Sequence, residues 1–296
     1  MNKIYISDLD GTLLNEKANL SFYSKKELNR LIEEHNINFT VATARNVYSI
    51  KEMFKDVNLK LPVIEFNGSF ITDIKTGEKL IVNNIDKNVS EQLLKLCTSY
   101  GQFPMISSFN GSDTNLYYKS NVSEGMDLYL KDRREVNPNS LTDANLNNNY
   151  INEKSVCFTL INKKEYLDDL INEIKNTCGN FLSIYYSKDI YYTDWYWASI
   201  YSVDAKKGVA IKKLMDYLNI NDHYLTVFGD HHNDVDMFNV ADKSIAVGNA
   251  QQELLGHADM IIGTNKEDSV IKYIKKDIEK FNYNEIGESD QLVENM

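Results

Sequence analysis

Lys3-Ile4-Tyr5-Ile6-Ser7-Asp8-Leu9-Asp10-Gly11-Thr12-Leu13-Leu14 runs an apolar strand straight into two carboxylates one residue apart. Acids at i and i+2 leave an extended strand on the same side. At the end of a buried strand such a pair has lost much of its water, so it calls for a cation or a chemical task. Gly11-Thr12 can turn the backbone sharply and aim amides and a hydroxyl back at the acids, a surface suited to phosphate. A plainer reading makes Asp10 the cap of whatever follows the strand.

The rest of the chain favours chemistry. Tyr224-Leu225-Thr226-Val227-Phe228-Gly229-Asp230-His231-His232-Asn233-Asp234 repeats the design: apolar strand, glycine, then acids with an amide. In an open parallel sheet the carboxyl ends of neighbouring strands face one crevice, so such distant stretches can meet there. Asp8, Asp10 and Asp230 brought together would repel by about 4 kcal/mol per pair at about 4 Å and an effective dielectric of about 20. A hard divalent cation removes that cost, and an all-oxygen ligand set favours Mg2+ over zinc or copper.

Around these stretches the pattern alternates strand and helix. Ser24 to His35 reads as a helix and Asn38 to Thr43 as a strand; a helix from Val47 to Val57 leads past Pro62 into the short strand Val63 to Phe66. From Lys206 the alternation resumes and ends in a helix reaching about Phe281. These two ends read as halves of one α/β domain, a Rossmann-like doubly wound parallel sheet, covering residues 1–83 and 190–281. Between them, residues 84–189 change texture to helices mixed with short β-rich runs and an Asn-rich loop at 137–149, an inserted α+β domain. Residues 282–296 read as a loose acidic tail.

At 296 residues, 43% hydrophobic and 25% charged, the chain has ample material for a core. A net charge of -11 argues against nucleic acid or an anionic membrane as partner. No apolar run is long enough to span a bilayer, and Asp8 and Asp10 interrupt any leader-like segment. Cys97, Cys157 and Cys178 have no metal spacing and read as reduced core thiols, which favours the cytoplasm. A monomer or small homo-oligomer is expected. Neither a P-loop nor a dinucleotide fingerprint occurs.

Other positions carry two readings each. Thr43, at another strand end, offers a hydroxyl to a phosphoryl oxygen or caps the next helix. Lys207 lies at a helix start just before Gly208, an odd place for a cation given the helix dipole; a bound phosphate would relieve that, and a solvated surface lysine is the alternative. Asn67-Gly68 is a strong hairpin signal whose loop could also touch a ligand. His231-His232 lacks a third soft ligand nearby, which speaks against zinc. The aromatic run Tyr191 to Trp197 reads as a half-buried strand or domain junction.

Taken in order, Asp8-Leu9-Asp10-Gly11-Thr12, Thr43, Lys207 and Gly229-Asp230-His231-His232-Asn233-Asp234 resemble the four motifs of the haloacid dehalogenase superfamily, in its phosphatase branch. The insert resembles the C2-type cap of the Cof-like hydrolases, and the resemblance extends to about Phe281. It implies hydrolysis of a small phosphorylated metabolite through an aspartyl-phosphate, with Asp8 the nucleophile on phosphorus and Asp10 the general acid and base. It further implies Mg2+ held by Asp8, the Asp10 main-chain carbonyl and Asp230, with Asp234 and Asn233 orienting ligands. Thr43, Lys207 and the amides around Leu9 and Asp10 would hold the phosphoryl oxygens; Asn233, and apart from the resemblance the Asn67-Gly68 loop, are further candidate phosphate or substrate contacts. His231-His232 departs from the family pattern, as does the Ser-Val-Asp-Ala-Lys approach to Lys207. A phosphotransferase or mutase of the same superfamily, or a non-catalytic binder of phosphorylated metabolites, are the alternatives.

Overall fold

The computed structural model describes residues 2–120, 122–136, 141–189 and 194–280. The chain forms two compact units, one made of residues up to 77 and from 207 onward, the other of residues 78–206. In chain order the first unit opens with β1 (Asn2–Ser7), α1 (Phe22–Glu34), β2 (Asn38–Val41) and α2 (Val47–Met53), then the strands β3 (Val63–Glu65) and β4 (Phe70–Thr72). The second unit contains β5 (Lys79–Val82), α3 (Lys87–Ser99), β6 (Met105–Phe109), β7 (Thr114–Tyr118) and α4 (Glu124–Val136). It continues through β8 (Leu141–Asp143), β9 (Lys154–Asn162), α5 (Lys164–Cys178), β10 (Leu182–Lys188) and β11 (Tyr196–Ser202). The first unit resumes with α6 (Lys207–Tyr217), β12 (His223–Gly229), α7 (Val235–Phe238), β13 (Lys243–Ala246), α8 (Gln252–Leu255) and β14 (Met260–Ile261), and a last helix over 269–280.

The first unit is a doubly wound α/β domain. Its five strands are all parallel in the order β14-β13-β12-β1-β2, and a parallel bridge from Ala42 to Ile64 extends the order toward β3. Strands that follow β1 closely in sequence lie on one side of it and the late strands on the other. The order therefore reverses at β1, where the carboxyl ends of β1, β2 and β12 border one crevice. Alternation along β1 sends Tyr5 into a core with Phe39, Val41 and the helical residues Leu28, Leu31, Ile32, Ile271 and Ile274. Leu28, Leu31 and Ile32 share one face of α1 because they recur at helical spacing, and Ser21 caps that helix by accepting from the Ser24 N–H at 2.9 Å.

The second unit is built on a six-stranded sheet in the order β10-β11-β9-β6-β7-β8, antiparallel except for β7 and β8, which are joined across α4. Phe158 and Leu160 of β9 face a core shared with Leu93 of α3 and Leu167 and Ile171 of α5, while Ile161 points the other way to Met126 and Leu130 of α4. Both faces are thus covered by helices. The first junction, expected at 83/84, falls at 77/78, and the second, expected at 189/190, falls at 206/207. The reason for the second shift is β11: a short aromatic-rich run fits a pleated strand in either sheet, and Tyr196–Ser202 pairs with both β9 and β10 in the insert's sheet.

Cys97, Cys157 and Cys178 are free and buried in this unit. Part of the Asn-rich segment, Leu141–Asp143, forms the short β8; the expected tail at 282–296 lies outside the described residues. No helix among the described residues is long and apolar enough to cross a membrane.

Candidate active site

β1 ends at Ser7, and the next residues leave the strand direction at once. Asp8 is still extended, but Gly11 takes φ +75°, and the turn closes where the Leu14 N–H donates to the Leu9 carbonyl at 2.9 Å. Two demands meet at Gly11: the left-handed backbone, and space, since a Cβ there would lie 2.2 Å from Asp230 Oδ2. Leu9 and Leu13 drop into the core and fix the turn against the sheet. This path leaves the two acids in different surroundings. The Asp8 side chain is 8% exposed and that of Asp10 is 53% exposed, and the i, i+2 rule of strands does not apply past Ser7.

Asp8 faces inward onto Lys207. The lysine is fully buried at the first position of α6, with Nζ 2.6 Å from Asp8 Oδ1 and 2.6 Å from Asp234 Oδ1. Two carboxylates thus remove the penalty of a cation at a helix start. Lys206, the neighbouring candidate, is only half-buried. Gly208 makes the approach possible, since a Cβ there would meet the Asp236 carbonyl oxygen at 2.3 Å.

Asp234 holds the turn after β12 together. Its second oxygen, Oδ2, accepts from the Asp230 N–H at 3.0 Å and the His231 N–H at 3.1 Å. Thr12 donates its hydroxyl to Asp230 Oδ1 at 2.9 Å, tying the first turn to the second across 218 residues of sequence. His232 lies on the exposed side beside Glu253 at 3.3 Å. Neither histidine joins the group of metal-competent side chains found among the described residues, which is Asp8, Asp230 and Asp234, with one ligand atom from each within 4.8 Å of the others.

Thr43 is buried at the end of β2, and its Oγ1 accepts from the Arg45 N–H at 3.2 Å. It does not cap the following helix; Asn46 does, accepting from the Ser49 N–H at 2.9 Å. The hydroxyl proton of Thr43 is thereby left to donate elsewhere. Asn67 and Gly68 do lie in a hairpin turn, but a longer one than the two-residue turn their sequence signals: Glu65 pairs with Phe70, and Phe66, Asn67 and Gly68 all take positive φ. The turn docks on the end of β2, where the Asn67 N–H donates to the Thr43 carbonyl at 2.9 Å and the Phe66 N–H to the Arg45 carbonyl at 3.2 Å. Asn67 Oδ1 accepts from Asn233 Nδ2 at 3.1 Å. Asp8, Thr43, Lys207, Asp230, Asn233 and Asp234 thus surround the strand ends, with Asn67 bridging from the hairpin.

Several contributors lie outside the motif positions. Arg45 grips Asp10 at two points, Nε to Oδ2 at 2.7 Å and Nη2 to Oδ1 at 2.6 Å. Arg45 follows Thr43 by two residues in the bend between β2 and α2. Fully buried Glu65 ties α2 to the hairpin by accepting from the Val47 N–H and from Thr72 Oγ1. Asn249 donates to the Gly11 carbonyl at 2.7 Å and accepts from the Asn265 N–H at 2.9 Å, while Asn265 donates to the Leu14 carbonyl at 2.8 Å. These asparagines clamp both ends of the first turn.

Electrostatically the buried half of the site carries too much negative charge. Three carboxylates meet one ammonium. Burial works against the charged form of Lys207, but Asp234 and Asp8 outweigh it and hold the group above the usual lysine range. Excess proton affinity therefore falls on the acids: burial raises Asp8 well above the carboxylate range against the opposing pull of Lys207. Burial, then Asp234, raises Asp230 to about 7. An oxygen-rich, over-charged cradle of this kind matches a hard divalent cation.

The sequence profile of the haloacid dehalogenase-like hydrolases matches residues 5–274. The phosphatase YwpJ of Bacillus subtilis is 27% identical over 289 residues, spanning 92% of this chain and 99% of that protein. The 5-amino-6-(5-phospho-D-ribitylamino)uracil phosphatase YitU of Bacillus subtilis is 25% identical over 276 residues, 91% of this chain and 95% of its own. Among solved structures, TM0651 from Thermotoga maritima superposes with a TM-score of 0.75 at 21% identity, covering 93% of this chain and 97% of that one. With the profile spanning nearly the whole sequence, the chain belongs to the haloacid dehalogenase-like hydrolases.

Proposed function

We propose that this protein is a Mg2+-dependent phosphatase that hydrolyses small phosphomonoesters through an aspartyl-phosphate on Asp8. The observation that carries the reading is the Asp8 carboxylate, buried at a strand end with one oxygen held by Lys207. A side chain so fixed meets phosphorus from a defined direction.

An Asp8 oxygen attacks phosphorus, the bond from phosphorus to the ester oxygen breaks, and Asp10 gives its proton to the departing alkoxide. Asp10 then takes a proton from water as that water attacks the phosphoryl group, releasing inorganic phosphate and restoring Asp8. Thr43, Lys207 and the amides of Leu9 and Asp10 bind the phosphoryl oxygens, with Lys207 offsetting charge that builds in the transition state. Asp234 acts by holding Lys207 and the Asp230 turn. Mg2+, held by Asp8, the Asp10 main-chain carbonyl and Asp230, would supply the positive charge that this acid cluster lacks.

Relatives whose names specify small phosphorylated substrates, such as a ribitylaminouracil phosphate, support a metabolite of that size for this chain. A panel of metabolite phosphomonoesters, assayed for phosphate release with Mg2+, tests the reading. Release that disappears in Asp8→Asn and on chelation of Mg2+ is the expected result; wild-type protein inert across the panel contradicts it.

A further inference from the structure

Arg45 is anchored before it meets Asp10. Its N–H donates to Thr43 Oγ1 at 3.2 Å, its carbonyl accepts from the Phe66 N–H at 3.2 Å, and its Nη1 donates to Ser49 Oγ at 3.2 Å from within α2. The remaining edge of the guanidinium, Nε and Nη2, faces both oxygens of Asp10. A planar fork meeting a carboxylate at two points fixes its angle as well as its distance, which a lysine ammonium does not.

Both side chains are partly open to water, 27% for Arg45 and 53% for Asp10, and an ion pair in that setting adds little to stability. The precision of the arrangement therefore calls for another purpose. Asp10 sits beyond the end of β1, where neither strand pairing nor core packing restrains its carboxyl. Among the described residues, Arg45 is the side chain that does so.

We infer that Arg45 is a positioning residue, whose fork sets the place and angle from which the Asp10 carboxyl exchanges protons with the leaving group and the incoming water. Each carboxylate oxygen has two lone-pair directions and the fork occupies one on each, so either oxygen can still turn the other toward a substrate. Arg45 stays charged throughout; the proton travels from Asp10 to the ester oxygen and returns to Asp10 from water. The inference rests on the phosphatase reading above.

The test is kcat/KM for a series of phosphomonoesters with progressively poorer leaving groups, from p-nitrophenyl phosphate through phenyl phosphate to an alkyl phosphate. Wild type, Arg45→Ala, Arg45→Lys, Asp10→Asn and the Arg45→Ala/Asp10→Asn double variant are compared. A poor leaving group needs its proton and a good one hardly does. Arg45→Ala is expected to lose about ten- to a hundredfold on the alkyl phosphate and much less on p-nitrophenyl phosphate. Arg45→Lys should recover part of the loss, and Asp10→Asn should cost less once Arg45 is gone than it does in wild type. A loss equal across the series, or losses that multiply in the double variant, would overturn the inference and assign Arg45 to holding phosphate or fold. Wild-type protein inert toward every ester would bring down the phosphatase reading, and this inference with it. An active wild type with a flat Arg45→Ala profile brings down the inference alone.

Discussion

The buried and exposed halves of the strand-end cluster use the same chemistry, carboxylate against cation, to opposite ends. Around Lys207, Asp8 and Asp234 lie at 2.6 Å with almost no access to water, and Asp230 adds a third acid. At the rim, Asp10 and Arg45 meet at similar distances in partial contact with solvent. Equal distances therefore do not mean equal energies. The dielectric around a pair decides whether it governs stability or only geometry.

The largest expected effect breaks the buried half. Lys207→Met strips Asp8 and Asp234 of their cation and should cost about 3–5 kcal/mol in urea unfolding. A cost below about 1 kcal/mol, the level of an exposed pair, would mean that the two halves do not differ.

Next comes the pH dependence of the metal-free protein. Burial and the neighbouring Asp234 push Asp230 up to about 7 in the folded state, against about 3.9 in an unfolded chain. Between those values the native state holds the extra proton, so stability falls as pH rises through this window. Thermal midpoints in chelator should drop from pH 5 to pH 8, less so in Asp230→Asn, and Mg2+ at about a hundred times its Kd should return about 2.7 kcal/mol at pH 8. Midpoints that are flat with pH would contradict the charge imbalance.

Removing the clamp at the first turn is smaller. Asn265→Ala leaves the buried Leu14 carbonyl without its donor and should cost about 1–3 kcal/mol in the same urea assay. Smallest is Arg45→Ala, expected within about 1 kcal/mol of wild type by urea unfolding. A much larger loss would make the rim pair structural.

The sequence was legible where strand and acid adjoin. The apolar runs before Asp8 and Asp230 marked β1 and β12, and the parallel ladder lays them side by side. Lys207 could be singled out because Gly208 follows it, and close approach at a helix start demands a residue without a Cβ. Arg45 could not be linked to Asp10, because their meeting depends on the turn path after Ser7, and no local pattern encodes that path. Asn249 and Asn265 come from loops whose only common feature is the turn they clamp. The Tyr196–Ser202 strand belongs to the insert rather than the α/β domain because of its pairing with β9 and β10, which its aromatic-rich composition does not encode.

The most direct test of the division between Asp8 and Asp10 is to trap the covalent intermediate. Asp10→Asn should still accept a phosphoryl group from p-nitrophenyl phosphate, whose leaving group needs little protonation, yet hydrolyse the product slowly. Acid quenching followed by peptide mass spectrometry should then find one added phosphoryl group on the peptide carrying Asp8, and none in Asp8→Asn/Asp10→Asn. Turnover by the wild type with no adduct in Asp10→Asn, or an adduct on any other residue, would contradict the account.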